Sequence, residues 1–456
     1  MEKIEYQQFG ETLYRVTLQN GLQVNLLPKN DFHKTYGVMT ANYGSLDNTF
    51  VPANGTEFVK VPDGIAHFLE HKLFEKEDYD AFELFGKYGA EANAFTSFTK
   101  TSYLFSATNN VKKCVEILLD FVQQPYFSEQ TVAKEKGIIA EEIKMYDDDP
   151  SWRLYFGMIG NLYPNTALSI DIAGSVESIG QITTEDLYTC YQTFYQPQNM
   201  SLFLVGNFDI YEILATIEAN QAQKQFPAPQ EIKRPKLEVD SSGSDIIPYR
   251  MLELNVNRPK TMVGIKGLDE VSTTKAGLKY KLAVELLLYL LYSESAPEYL
   301  KLYQEGILDD SFGYEFTFER GFHFAVISGD SDQPQALSNA IIEIAENAVG
   351  SLSNRQAEFE LAQREFIGRY IQAMNSLEAI ANRYSANLFE GATVFELVPV
   401  IEELTLEDII AVAKSFIKSE AISVFQILPK GWLLSEVGVD FRSFWRYWPK
   451  YRLWFG

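Results

Sequence analysis

The segment IGQITTEDLYTCYQTFYQPQNMSLFLVG, which starts at Ile179, returns in altered form as IEELTLEDIIAVAKSFIKSEAISVFQILP, which starts at Ile401. Thr183, Glu185, Asp186, Phe194, Ser201 and Phe203 recur as Thr405, Glu407, Asp408, Phe416, Ser423 and Phe425, each pair 222 positions apart (405 − 183 = 222). Both copies read as a threonine-capped helix with acids in its first turn, followed by a strand. Capping chemistry alone would account for T-x-E-D, but not for an offset that stays constant into the strand. So long a period describes two related domains rather than a stack of short repeats. Whatever the first half of the chain folds into, the second half must build again. The seam falls in NQAQKQFPAPQEIKRPKLEVDSSGSDIIP (220–248), which is rich in Gln, Pro, Lys and Ser and has no periodicity. The division is therefore 1–225, a linker at 226–247, and 248–430. Residues 431–456 form a tail with four of the five tryptophans, interleaved with basic residues. It reads either as an extension outside the fold or as a surface for a membrane or partner.

Within the first half, the alternation around Asn20-Gly21 predicts a hairpin. Pro62-Asp63-Gly64 opens a helix, with Asp63 expected as its N-cap. DYDAFELFGKYGA reads as a second helix closed by Gly89, and NAFTSFTKTSYLFSAT as a strand or a strand pair. From Val111 to Val122, and from Glu129 to about Tyr146, the apolar spacing becomes helical.

Bulk composition removes several functions. The net charge of −23 argues against nonspecific nucleic-acid binding, which needs a basic footprint. No apolar run reaches the roughly eighteen residues of a membrane span, and MEKIEYQQFG lacks the basic and apolar regions of a secretory signal. Cys114 and Cys190 are the only cysteines. Two in a chain this long make no disulfide framework, so both are expected as free thiols in a cytoplasmic protein.

The chain has four histidines, and two of them, His67 and His71, fall in GIAHFLEHKLFE. Four residues apart on a helix, they share a face and can hold one ion. Zinc suits two imidazoles plus a carboxylate with a position left for water. Glu70 leans to the same side, where a carboxylate can take a proton from water acidified by the metal. H-x-x-E-H is the inverted form of a known zinc-protease motif. Downstream, EKGIIAEEIKMY places Glu135 and Glu142 two turns apart on one helical face, with Glu141 turned aside. Facing carboxylates are costly to bury without a cation; the alternative is the solvated face of an acidic helix.

These stretches, with TLQNGLQVNLLPK and FYQPQNMSLFLVGNFD, resemble the pitrilysin/insulinase zinc peptidases, a family that includes the mitochondrial processing peptidase. The resemblance covers residues from about 12 to 430 and is strongest to half-length, two-domain members. It implies an α+β fold of two related domains, each an antiparallel sheet with helices packed on one face. It implies one zinc ion per chain held by His67, His71 and Glu142, Glu70 as catalytic base, and Glu135 as an outer carboxylate supporting the site. It also implies that the strand beginning at Asn93-Ala94 pairs with an extended substrate. The expected function is zinc-dependent endopeptidase cleavage of peptides or unfolded segments; the alternative is a noncatalytic or accessory subunit of a heteromeric processing or maturation complex. One family feature is missing. Many members carry an Arg, and a Tyr seven residues later, which contact the substrate carbonyl and the developing oxyanion. In LYQEGILDDSFGYEF (302–316) those places hold Tyr303 and Asp310, with Tyr314 nearby but out of register. The resulting expectation is a heterodimer with a related subunit lacking the zinc motif, or a homodimer.

Overall fold

The computed structural model describes residues 1–432; the expectation for the tail lies, from residue 433 on, outside them. The first half forms β1 (Glu2–Tyr6), β2 (Glu11–Thr17), β3 (Gln23–Pro28), β4 (Thr35–Ala41), a small ribbon of β5 (Thr49–Phe50) and β6 (Val59–Lys60), β7 (Glu91–Thr96), β8 (Thr101–Ala107) and β9 (Met200–Gly206). The second half forms β10 (Tyr249–Leu254), β11 (Lys260–Lys266), β12 (Gly313–Glu319), β13 (Phe322–Asp330) and β14 (Ile422–Pro429). The main sheet of the first half runs β1-β2-β3-β9-β4-β8-β7, and that of the second β10-β14-β11-β13-β12. From β3 onward the first order maps onto the second strand for strand. Each sheet is antiparallel except for one pair, β3 with β9 and β10 with β14.

The echo at 222 residues marks equivalent elements. Thr183 caps the helix Thr184–Phe194 in a capping box with Asp186, and Thr405 caps Leu406–Phe416 with Asp408 in the same way. The strands after these helices, β9 and β14, lie inside their sheets. The Asn20-Gly21 hairpin joins β2 to β3, and NAFTSFTKTSYLFSAT is the strand pair β7–β8.

All seven residues of β9 are buried, because both faces of the sheet are covered. Leu202 and Leu204 enter one core with the helices of their own half. Phe203 and Val205 point the other way, into a core shared with helices of the second half. There the helix Leu377–Asn382 packs on β4 and β9. The first five helices of the chain are α1 (Ile65–Phe74), α2 (Ala81–Lys87), α3 (Val111–Gln123), α4 (Glu129–Asp148) and α5 (Pro150–Leu162). Of these, α5 crosses in the opposite direction and packs on β11 and β14. Its Leu154, Met158 and Leu162 join Met262, Phe324 and Phe425 in one core. Gly157 permits the approach, since a Cβ there would lie 2.3 Å from the Phe425 ring. Each sheet thus carries its own helices on one face and a helix from the opposite half on the other.

A single carboxylate ties three segments. Asp47, 3% exposed, accepts from Arg234 Nη1 at 2.9 Å and from Arg320 Nη2 at 2.9 and 3.0 Å. Arg234 belongs to the irregular stretch between the sheets and Arg320 to the β12–β13 turn. Cys114 and Cys190 are both free and buried, and burial pushes their thiols up to about 11 and about 12.

Breaking a buried ion pair by deleting one partner costs about 3–5 kcal/mol. Asp47→Ala is therefore expected to lower the unfolding free energy by about that amount in a denaturant titration. A change under about 0.5 kcal/mol, the size of an ordinary surface substitution, would show that the two arginines do not depend on it.

Candidate metal centre

The helix α1 begins at Gly64 rather than at the expected Asp63. Gly64 occupies the N-cap position with φ 89°, and a Cβ there would meet Ala173 O at 2.4 Å. The Asp63 carboxylate instead accepts from Asn48 Nδ2 at 2.7 Å. The left-handed backbone and the close approach select glycine over a side-chain cap. Phe68, Leu69 and Leu73 bury one face of α1 completely. His67 and His71 share another, with ring centroids 4.6 Å apart.

Facing them is α4, started by a Ser128–Thr131 capping box and seated by Val132, Ile139 and Ile143. Its period brings Glu135 and Glu142 toward α1, while Glu141 pairs with Lys144 on the outer surface. His67 Nε2 lies 3.7 Å from Glu142 Oε1, and His71 Nε2 3.6 Å from Glu142 Oε2. These separations are too long for hydrogen bonds but suit atoms arranged around a common centre; the three residues offer ligand atoms all within 4.8 Å of one another.

The surroundings prepare these atoms for a metal. His71 Nδ1 lies 3.0 Å from Glu135 Oε1, which directs Nε2 toward the cluster. Burial would depress the His71 pKa, but the Glu135 hydrogen bond and the charges of Glu70, Glu135 and Glu142 outweigh it and raise the value. Burial likewise opposes ionisation of Glu135, yet His71 holds its pKa below the usual range. His67 is drawn down to about 4, by burial first and then by His71, so it presents a neutral imidazole at ordinary pH. Its Nδ1 is buried without a hydrogen-bond partner among the described residues. Tyr146 OH donates to Glu142 Oε1 at 2.6 Å, and its ring stacks on Trp152 at 4.3 Å. Two imidazole nitrogens and one carboxylate, with His71 and Glu142 each oriented by a neighbour, are a donor set that fits zinc.

Glu70, 7% exposed, sits beside the cluster. Its Oε2 accepts from Thr96 Oγ1 at 2.5 Å, and burial raises its pKa. Thr96 ends β7, which among the described residues is an edge strand paired only with β8. Asn93 and Ala94 of this strand line a cavity of about 580 Å³ together with Glu70, His71 and Glu135. Helix, carboxylates and open strand edge therefore meet at one place. Tyr303, Asp310 and Tyr314 do not line this cavity. Tyr303 lies exposed in the last turn of the helix Pro297–Gln304, and Tyr314 belongs to β12. Thr96 and Tyr146 are supporting groups that the motifs alone do not name. Tyr146 stands four residues after Glu142, a spacing that would have revealed it.

A metal-ready His-His-Glu cluster on facing helices, in a two-sheet α+β fold, defines a zinc metallopeptidase. The insulinase (peptidase family M16) model matches residues 60–175, and the peptidase M16 inactive-domain model matches residues 181–366. Over 430 residues the chain is 47% identical to the uncharacterized zinc protease YmfH of Bacillus subtilis, covering 94% of this chain and 100% of that protein. The crystal structure of a putative M16-like peptidase from Alicyclobacillus acidocaldarius superposes with a TM-score of 0.86 at 33% identity, covering 92% of this chain and 98% of that one. Pitrilysin shares the fold at a TM-score of 0.71 and 15% identity, with 94% of this chain matching 46% of that one. The chain belongs to the insulinase (M16) family of zinc peptidases.

Zinc content by elemental analysis is expected to approach one ion per chain, and to be lost in His71→Ala. Glu135→Gln is expected to keep the site with about 10- to 100-fold weaker affinity, as for other partners of ligating histidines. Unchanged zinc in His71→Ala would refute the ligand set.

Proposed function

We propose that His67, His71 and Glu142 hold one zinc ion, that Glu70 is the catalytic base, and that substrates bind as extended strands along β7. The observation carrying this reading is that His71 of the His-His-Glu cluster, the buried Glu70 and Asn93 and Ala94 of the edge strand β7 line one cavity. Bound there, zinc would supply a Lewis acid that polarises the scissile carbonyl and acidifies water.

The chain's own groups supply the rest. The Thr96 hydroxyl fixes Glu70 through Oε2, leaving Oε1 to accept a proton from the attacking water and return it to the departing amine. Burial raises the Glu70 pKa, which strengthens it as a base. Glu135 holds the His71 ring and Tyr146 holds the Glu142 carboxylate. The backbone of β7, including Asn93 and Ala94, has the free edge that an extended peptide needs for β-augmentation. Peptides and unfolded segments meet that requirement; folded domains do not.

Neither Tyr303 nor Asp310 lines the cavity, so this reading assigns no oxyanion donor to either. Losing such a donor typically costs ~3 kcal/mol. The reading therefore includes a second subunit across the cleft: a related chain without the zinc motif, or another copy of this one. A noncatalytic role within such a complex is the rival, and the intact set of His67, Glu70, His71 and Glu142 counts against it. No described helix is long and apolar enough to cross a membrane. A cytoplasmic location is supported by the two unpaired buried thiols.

Glu70→Gln is expected to retain zinc and peptide binding while hydrolysis of unfolded casein falls ~100-fold or more. Full turnover in this variant would move the base elsewhere. Adding the closest copurifying relative is expected to raise the rate of the lone chain; a fully active lone chain, unaffected by the addition, would contradict the two-subunit reading.

A further inference from the structure

We propose that Lys76 makes the cavity beside the metal cluster a receptor for an acidic side chain, Asp or Glu, within a residue or two of the scissile bond. This rests on the peptidase reading and names the substrate class it selects. Lys76 follows the C-cap of α1, where its N–H donates to Tyr79 O at 2.9 Å and starts a tight turn. The side chain lines the cavity and is only 8% exposed. Its Nζ is buried without a hydrogen-bond partner.

Two other buried lysines each have a carboxylate. Lys72, fully buried one turn earlier, pairs with Glu75, and the fully buried Lys266 pairs with Asp245 at 2.8 Å. Lys76 has none. A buried unpaired ammonium is costly, and burial, with Lys72 adding repulsion, draws its pKa down to about 7. An incoming carboxylate would hold the proton on and remove that cost.

Of the four carboxylates in the cavity lining, Glu75 is paired with Lys72 and Glu135 with His71, while Glu70 and Asp80 accept from neutral donors, the Thr96 hydroxyl and the N–H of Phe82. The cations Lys76 and Lys134 remain without such partners among the described residues. Phe74 and Phe82, stacked at 4.0 Å, form an apolar wall for the aliphatic stem. A peptide laid on β7 with a carbonyl beside Glu70 and His71 would send a neighbouring side chain between Ala94 and this wall.

The test uses the zinc-loaded full chain, with any relative that copurifies, and a set of extended fluorescent decapeptides in which Glu, Gln or Lys is moved through every position. Hydrolysis is followed with wild-type protein, and binding by anisotropy with Glu70→Gln. At one position Glu should be preferred over Gln by about tenfold in Kd and in kcat/KM, the scale of a desolvated charge pair. Lys76→Met should bring that ratio to within about twofold of unity, and Lys76→Glu should transfer the preference to Lys. Lys76→Met should also melt no lower than wild type, because it removes an unpaired buried charge. Hydrolysis without any Glu preference, or a preference that survives Lys76→Met, overturns the inference and leaves the peptidase reading standing. A Glu preference in binding that depends on Lys76, with no hydrolysis of any peptide, keeps the inference and overturns the peptidase reading. Absence of a Glu preference in binding, or a Lys76→Met protein several degrees less stable, also counts against Lys76 as a specificity determinant.

Discussion

Everything in this protein is arranged around two strands that must be buried on both sides. β9 and β14 present apolar residues to opposite faces in succession, so neither sheet can rest one face in water. Each half has helices enough for one face of its sheet. The second face is covered by a helix from the other half, α5 on β11 and β14 and Leu377–Asn382 on β4 and β9. The halves are therefore joined through their cores rather than through a surface contact. Phe203 and Val205 share a hydrophobic cluster with Ile265 and Val424. Among the described residues this leaves the far edge of the first sheet, β7, without a second partner strand, and its last residue, Thr96, holds Glu70.

The same constraint governs the metal centre. Glu135 and Glu142 project from α4 toward a helix whose opposite face is anchored by Phe68, Leu69 and Leu73, so neither helix can turn its polar face away without losing apolar burial. His71 answers Glu135 with a hydrogen bond, whereas His67 and Glu142 face each other at 3.7 Å without one. A divalent cation would resolve that arrangement, because ligand bonds would take the place of the missing hydrogen bond. The core behind α1 and the Glu135 hydrogen bond fix the His71 imidazole, while Tyr146 and Thr96 fix Glu142 and Glu70.

Much of this is legible in the sequence where the signal is local or repeated. The constant offset from Thr183 and Thr405 into the strands beyond them locates equivalent helix–strand units, because capping boxes and buried strands write themselves in short stretches. The H-x-x-E-H spacing and the Glu135–Glu142 period follow from helix geometry alone. Other features depend on distant parts of the chain. Asp63 has the chemistry of a cap, but the approach of Ala173 O hands the position to Gly64. That α5 would cover the sheet of the other half cannot be read from its amphipathic pattern, which names an apolar face and not its partner. Lys76 in LFEKEDYD looks like an ordinary surface lysine; its burial appears only in the folded chain.

The most direct test of the central claim is X-ray absorption at the zinc edge, on the metal-loaded wild type and on Glu142→Gln. Two imidazole nitrogens at about 2.0–2.1 Å and oxygen ligands at about 2.0–2.2 Å are predicted for the wild type, with the oxygen shell altered and both imidazoles retained in the variant. A spectrum showing fewer than two imidazoles, or one unchanged by Glu142→Gln, would place the metal elsewhere and contradict the account.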